Sequence, residues 1–231
     1  MRYILKFTKP TEPVHINTQH IINSFIHKLL GNNNEYHDTK SNYAISNLKG
    51  GKLNKSNNNL VFNTYPYIVV SSNDTKFITK ILDGLLNFKD LGYGMTFKQY
   101  IPVEENYNDY WNNFNTLDPI RLREYNKETN LNRYITINDK DFKNKLKNHI
   151  INKFSKIDPT LDFENFDIEI GNGKIKKIYV KNTWNFCSSV QISVYGNKKI
   201  KEYLYNYGVG SSTGSGFGTI YQTKNYNVYK F

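Results

Sequence analysis

Cysteine is all but missing: the 231-residue chain has one, Cys187. That excludes a disulfide framework and a zinc site built on the cysteines of a single chain. No run of 18 apolar residues occurs, so no transmembrane helix is expected. The opening Met1-Arg2-Tyr3-Ile4-Leu5-Lys6-Phe7 alternates like a strand and lacks the apolar core of a signal peptide, and a cytoplasmic protein is expected. Acidic residues are also short. Twenty Asp+Glu stand against 31 Lys+Arg, a formal net charge of +11, which points to a polyanionic partner; no membrane partner is expected. Arginine is scarcer still: Arg2, Arg121, Arg123 and Arg133 are the only ones, and the other basic residues are Lys. Lys binds phosphate as a point charge, whereas Arg suits bidentate reading of guanine, so backbone contact is better supported than base reading.

Hydrophobic residues make up 38% of the chain, yet aromatics reach 15%, with 19 Tyr and 14 Phe. Disordered chains are poor in aromatics, so a folded chain with an aromatic-rich core is expected. The length allows one large domain or two small ones.

The first half reads as strand, helix, strand, strand, helix, strand. Residues 2–8 alternate. Residues 19–30 carry Ile21, Ile22, Phe25, Ile26, Leu29 and Leu30 as a helical stripe between a Thr18 cap and Gly31. Strands are expected over 43–48 and 60–71, with Gly50-Gly51 and Asn57-Asn58-Asn59 as turns between them. A second helix is predicted over 74–86 behind Asn73 or Asp74, and a closing strand over 93–101. The second half repeats the order. Strand pieces at 120–124 and 134–137 precede a helix capped by Asn138 that carries Phe142, Leu146, Ile150 and Phe154. Gly171-Asn172-Gly173 reads as a hairpin turn between strands 166–170 and 174–180. A strand over 186–195, a short helix over 198–205 and a strand over 218–222 follow. Two βαββαβ units imply an α+β chain of two tandem ferredoxin-like (RRM-like) domains, 1–102 and 119–231, with 103–118 as a polar linker.

The most distinctive stretch is Tyr207-Gly208-Val209-Gly210-Ser211-Ser212-Thr213-Gly214-Ser215-Gly216-Phe217-Gly218. A P-loop needs Lys-Ser/Thr after its last Gly and a helix beyond, but Thr219-Ile220-Tyr221 reads as a strand. A dinucleotide fingerprint fails on spacing and on element order. What stays open is an ordered loop contacting the phosphates of a polynucleotide, or a flexible linker. Val209 and Phe217 inside it favour the ordered loop.

This loop, with Gly208-Val209-Gly210 and Gly216-Phe217-Gly218, resembles the C-terminal glycine signature of the CRISPR repeat-processing endoribonucleases of the RAMP superfamily. Leu117-Asp118-Pro119-Ile120 resembles that family's entry into its second domain, with Asp where Ser is usual. Tyr43-Ala44-Ile45-Ser46 and Val69-Val70-Ser71-Ser72-Asn73-Asp74 resemble the strand after its catalytic His and the lead into its second helix. The resemblance implies two ferredoxin-like domains and an endoribonuclease acting on CRISPR repeat RNA. It also implies that His37, just after the first helix, is catalytic.

RNA carries its own nucleophile. A base that removes a 2′-OH proton drives attack on the adjacent phosphate, so neither metal nor cofactor is expected. Lys40, or Lys28 near the end of the first helix, is a candidate for the phosphorane charge, and Tyr36 or Tyr43 for orienting the ribose or acting as a weak acid. The other histidines have plainer readings: His15 in a loop, His20 and His27 on a solvated helix face, His149 exposed. Gly208, Gly210, Gly214, Gly216 and Gly218, with Lys198, Lys199 and Lys201 just before them and Lys174 and Lys176 on one strand face, are the candidates for RNA contact. Lys143, Lys145 and Lys147 are read as a solvated face. Other CRISPR effector subunits and a second copy of the chain are the further partners considered, and a non-catalytic RNA-binding subunit is the alternative function. The strands lack the aromatic RNP pattern of a generic RRM.

Overall fold

In the computed structural model the described residues are 1–31, 34–36, 41–104, 107, 110–126, 128, 130–180, 183–223 and 229. The first half runs β1 (Arg2–Phe7), β2 (Val14–His15), α1 (Gln19–Leu30), β3 (Ala44–Ile45), β4 (Lys49–Asn54), β5 (Asn59–Ser71), α2 (Thr75–Asn87), β6 (Asp90–Gly92) and β7 (Met95–Pro102). β1 lies between β5 and β7, and β4 pairs with β5, all antiparallel. The periodicity explains both helices. α1 buries Ile22, Phe25, Ile26, Leu29 and Leu30, and α2 buries Phe77, Ile78, Ile81 and Leu85 against Leu5, Phe7, Ile68 and Val70. Asp74 caps α2 by accepting from the N–H groups of Lys76 (2.9 Å) and Phe77 (3.3 Å).

The second half runs β8 (Asn112–Thr116), β9 (Arg123–Asn126), β10 (Leu131–Tyr134), α3 (Phe142–Ile157), β11 (Asp167–Val180), β12 (Thr183–Tyr195), α4 (Lys198–Tyr207) and β13 (Ile220–Gln222). Its sheet has the order β11-β12-β8-β13. Numbered within each half, both sheets therefore run 4-1-3-2, and the chain is two ferredoxin-like units in tandem. Phe142, Leu146, Ile150 and Phe154 of α3 and Ile200 and Leu204 of α4 fill the second core with Phe114, Ile168 and Ile192.

Several details depart from the sequence reading. The first strand of the second sheet is β8, inside the segment read as linker, while residues 123–126 and 131–134 form a separate two-stranded ribbon. From that region Ile120 forms a bridge to Ser188 of the main sheet, the Tyr134 hydroxyl donates to Asn185 (3.2 Å) and the Ile137 N–H donates to Ser188 Oγ (2.9 Å). Gly50 and Gly51 sit inside β4, where Gly51 faces Phe62, rather than in a turn. Helix α3 starts three residues after Asn138's expected capping position allows, with Asp141 before it. Gly171-Asn172-Gly173 is not a turn but a bulge within the continuous strand β11. A Cβ on Gly173 would stand 2.5 Å from the Val190 side chain and 2.7 Å from the Ser189 carbonyl, so only glycine lets the strand pass.

The units are joined where their uncovered sheet faces meet. Ile4, Tyr67, Val69, Val103 and Tyr229 form a small third core, and the Tyr67 hydroxyl donates to the Tyr229 carbonyl (2.6 Å). Arg2 of β1 is buried and donates to the carbonyls of Tyr205 and Ile220 in the second unit. Asp118 is also buried, accepting from Lys49 Nζ (2.7 Å) and from the Asn47 side chain (3.0 Å). Burial pushes its carboxyl up, and the Lys49 charge opposes that. Among the described residues no helix is long and apolar enough to cross a membrane.

Candidate nucleic-acid interface

The glycine segment links α4 to β13 as an ordered loop. Val209 and Phe217 are buried, and the Val209 N–H donates to the Gly218 carbonyl (2.8 Å). Ser211 donates through both its N–H (2.8 Å) and its hydroxyl (2.9 Å) to the Arg121 carbonyl. Gly218 N–H donates to Pro119 (3.0 Å), and Thr213 Oγ1 donates to the Tyr43 carbonyl (2.9 Å). These bonds rule out a flexible linker. Gly208, Gly210, Gly214, Gly216 and Gly218 are all buried, and of the five Gly210 lines the cavity beside α3. At Gly214 a Cβ would lie 2.5 Å from the Tyr43 ring and 2.6 Å from Ser41 Oγ, so the glycine is needed for the loop to lie against residues 41–43. The reachable polar groups of the loop are instead the hydroxyls of Ser211, Ser212 and Ser215.

Between this loop, the C-terminal half of α3 and residues 41–42 lies a cavity of about 610 Å³. Three basic side chains of α3 line it, His149, Lys153 and Lys156, together with Asn152 and the loop serines. No carboxylate lines it among the described residues. Lys153 Nζ donates to the carbonyls of Tyr207 (2.9 Å) and Gly208 (3.3 Å) and to Thr213 Oγ1 (3.3 Å), which ties the loop to α3. Burial pulls its ammonium down to about 7. The His149 ring hydrogen-bonds the Gly210 backbone, and burial lowers its pKa, which keeps it neutral at neutral pH.

The chain on either side of residues 37–40 is anchored beside this cavity. On one side Tyr36 donates its hydroxyl to Asp74 (2.8 Å) and meets the Phe77 ring edge-on at 5.1 Å. On the other, Tyr43 stacks on Phe77 at 4.4 Å and Asn42 accepts from Ser72 Oγ (2.7 Å). The Ser71-Ser72-Asn73-Asp74 stretch thus works as a clamp. Ser72 Oγ accepts from the Asp74 N–H (3.0 Å), while the Asp74 carboxylate caps α2 and holds Tyr36.

The sequence model of a family described as CRISPR associated protein Cas6, C-terminal, matches residues 98–221, more than half of the chain. The chain belongs to the Cas6 family. Among its relatives, the CRISPR-associated endoribonuclease Cas6 1 of Methanocaldococcus jannaschii is 25% identical over 169 residues, and the match spans 70% of this chain and 65% of that protein. The product of a Cas6-related gene of Pyrococcus furiosus has the same fold, with a TM-score of 0.82 at 19% identity over 97% of this chain and 98% of its own. A RAMP protein that binds different RNA substrates gives a TM-score of 0.83 at 19% identity over 96% and 99% of the two chains.

In this Cas6 chain the other sequence candidates are scattered. His37 and Lys40 lie outside the described residues. Tyr43 is buried and Tyr36 is engaged with Asp74; burial raises both pKa values, and at Tyr36 the Asp74 charge adds to it. Neither lines the cavity, and both rings pack against Phe77. Lys28 is exposed and sits 4.7 Å over the Phe88 ring, away from the cavity. Lys201 is fully buried with Nζ on the Tyr110 carbonyl and is not available to a phosphate. Its place in the inward-facing turn of α4, one step after Ile200, decides this. Lys199 pairs with Asp158 (2.6 Å), and Lys198 is exposed. Lys174 and Lys176 are exposed on β11, opposite Ser189 and Cys187 of β12. Cys187 itself is buried, its thiol pushed up to about 12. Lys143, Lys145 and Lys147 pair with Glu169, Glu124 and Asp167 on the outer face of α3.

Sequence reasoning missed His149, Lys153 and Lys156, taking His149 as exposed. Their spacing was the available signal: 149, 153 and 156 recur at i, i+4 and i+7, one stripe beside the apolar one. Lys153 has a measurable pH signature. A lysine depressed by folding is protonated in the unfolded chain and neutral in the folded one between about 7 and its ordinary value near 10.5. Stability therefore rises with pH across that window. The difference in urea midpoint between the native chain and Lys153→Met is expected to grow in favour of the native chain from pH 7 to pH 10. A constant difference would show that the ammonium stays charged in its pocket.

Proposed function

We propose that this protein binds precursor CRISPR RNA and cleaves it within the repeat, without a metal, by attack of a ribose 2′-OH on the adjacent phosphate. A base takes the 2′-OH proton, the 2′-oxygen bonds to phosphorus, and the bond to the 5′-oxygen breaks as that oxygen gains a proton. The products are a 2′,3′-cyclic phosphate and a 5′-OH. The observation that carries this reading is the cavity bounded by the glycine loop, three basic side chains of α3 and Ser41-Asn42, which no carboxylate among the described residues lines. That cavity adjoins the stretch of sequence that holds His37 and Lys40. Lys156 at the cavity's rim and the hydroxyls of Ser211, Ser212 and Ser215 offer a positive charge and hydrogen-bond donors to a developing phosphorane charge. His37 is the proposed base and Lys40 the proposed partner for the phosphorane. Membership of the Cas6 family and the endoribonuclease name of the Methanocaldococcus relative support the same reaction class.

The test is incubation with the repeat encoded beside the gene. Cutting is expected in excess EDTA, and a 2′-deoxy substitution immediately 5′ of the cut is expected to abolish it. A metal-dependent reaction that tolerates the deoxy nucleotide would sink the mechanism. RNA binding without cutting would instead make the chain a non-catalytic subunit. Because the contacts are largely to phosphates, affinity is expected to fall steeply, by about 10³-fold or more if six or more phosphates are neutralised, between about 50 and 200 mM salt. A flat response would remove the basic cavity from the binding surface.

A further inference from the structure

Residues 117–119 close the exit of the glycine loop. The N–H groups of Leu117 (2.7 Å) and Asp118 (3.0 Å) donate to the Thr219 carbonyl, and the Gly218 N–H donates to Pro119 (3.0 Å). From this place in the second unit the Asp118 side chain crosses to the first. It is 1% exposed, and a single oxygen, Oδ1, takes three donors. They are the Asn47 N–H (3.2 Å), the Asn47 side-chain amide (3.0 Å) and Lys49 Nζ (2.7 Å). Lys49 Nζ also donates to the Leu117 carbonyl (2.8 Å).

Charge neutralisation accounts for Lys49 but not for Asn47, which the same oxygen grips by main chain and side chain together. Asn47 follows β3, and Ser46 ties that point to β5. The Ser46 N–H donates to the Val69 carbonyl (2.9 Å), and Ser46 Oγ accepts from the Val69 N–H (2.8 Å). The Asn47 amide has two N–H bonds to give. One goes to Asp118, and the other reaches the Gly216 carbonyl of the glycine loop (2.9 Å). The carboxylate fixes that orientation, because a turned amide would set its oxygen against two acceptors. Ser215, the residue before Gly216, lines the cavity beside α3.

We infer that Asp118, acting through Asn47, is a positioning residue for the proposed cleavage. Its carboxylate orients the Asn47 amide, the amide holds the Gly216 carbonyl, and the adjoining Ser215 keeps its place in the cavity wall. The inference rests on the RNA-cleavage reading above. Neither Asp118 nor Asn47 lines the cavity, so breaking the link costs rate and leaves affinity. A displacement of about 1 Å at a reacting centre can cost on the order of 10²-fold in rate, and a loosened loop wall costs less than that.

Single-turnover cleavage of repeat RNA at saturating protein, set beside the binding constant, separates rate from affinity. Asn47→Ala leaves the Asp118–Lys49 pair in place and is expected to fold. It is expected to cut about tenfold more slowly, with affinity within about threefold of the native chain. Asp118→Ala is expected to show the same split. The double variant is expected to cut no more slowly than either single one, to within about twofold, because both substitutions break one link. Asp118→Asn keeps an oxygen for the Asn47 donors and is expected to return the rate to within about threefold of native. Urea midpoints set a temperature at which the variants are folded; if Asp118→Ala does not fold, Asn47→Ala and Asp118→Asn carry the test. A native chain that cuts the repeat and an Asn47→Ala chain that cuts it equally fast overturn the inference and leave the functional reading standing. So do single losses that multiply in the double variant, or a folded Asp118→Asn chain as slow as Asn47→Ala. A native chain that does not cut the repeat brings both down together.

Discussion

His37→Ala is expected to slow single-turnover cleavage of repeat RNA by on the order of 10²-fold or more, while RNA affinity stays within a few-fold. The substitution removes the proposed base, and general acid–base catalysis is worth roughly 10²–10⁴ in rate, so the loss is expected in the chemical step. Three further histidines make the panel decisive. His20 is exposed and His27 half-buried on α1, and His20→Ala and His27→Ala are expected to have smaller effects. His149 is the real competitor, because it lines the same cavity and is kept neutral by burial, the form a base requires. If His37→Ala cut normally and His149→Ala were inactive, the base would be reassigned to α3 with the reaction class intact.

Arg2→Ala is expected to destabilise the fold by about 3–5 kcal/mol, measured as a fall in the urea midpoint. The guanidinium is 2% exposed and comes from the first strand, yet its acceptors are the Tyr205 and Ile220 carbonyls and the Tyr229 hydroxyl (3.3 Å). It also lies 3.3 Å from the centre of the Tyr205 ring. Hydrogen bonds from a charged donor contribute about 1.5–3 kcal/mol each, and truncation also leaves two buried carbonyls unpaired. Against a typical total stability of about 5–15 kcal/mol, the loss is a large share. Arg2→Lys is expected to recover only part of it, because an ammonium cannot reproduce the planar fork that reaches several acceptors at once. A loss below about 1 kcal/mol in Arg2→Ala would mean that the two units do not depend on this strut.

The sequence by itself determined what depends on neighbours within a few turns. The 3.6-residue stripes of α1 and α2 were legible because each helix has one apolar face to bury. A cap at Asn73 or Asp74 was legible because an acceptor just before such a stripe meets free N–H groups, and the structure places it at Asp74. The repeated βαββαβ order and the ordered set of glycine and serine motifs were enough to suggest the family. Tertiary structure decided what depends on partners far along the chain. Strand β8 (Asn112–Thr116) is too polar to announce itself, and it is a strand because β12 and β13, some 75 residues or more downstream, supply its hydrogen bonds. Gly171-Asn172-Gly173 has the composition of a turn, but β12 runs on past it, so the same residues become a bulge. Lys201 looks like a surface cation until α4 is turned with that face inward. His149 and Lys153 look like ordinary helix-surface residues until the glycine loop folds back over them. A side chain's burial, pKa and partners follow from what packs on top of it, and local pattern carries no record of that.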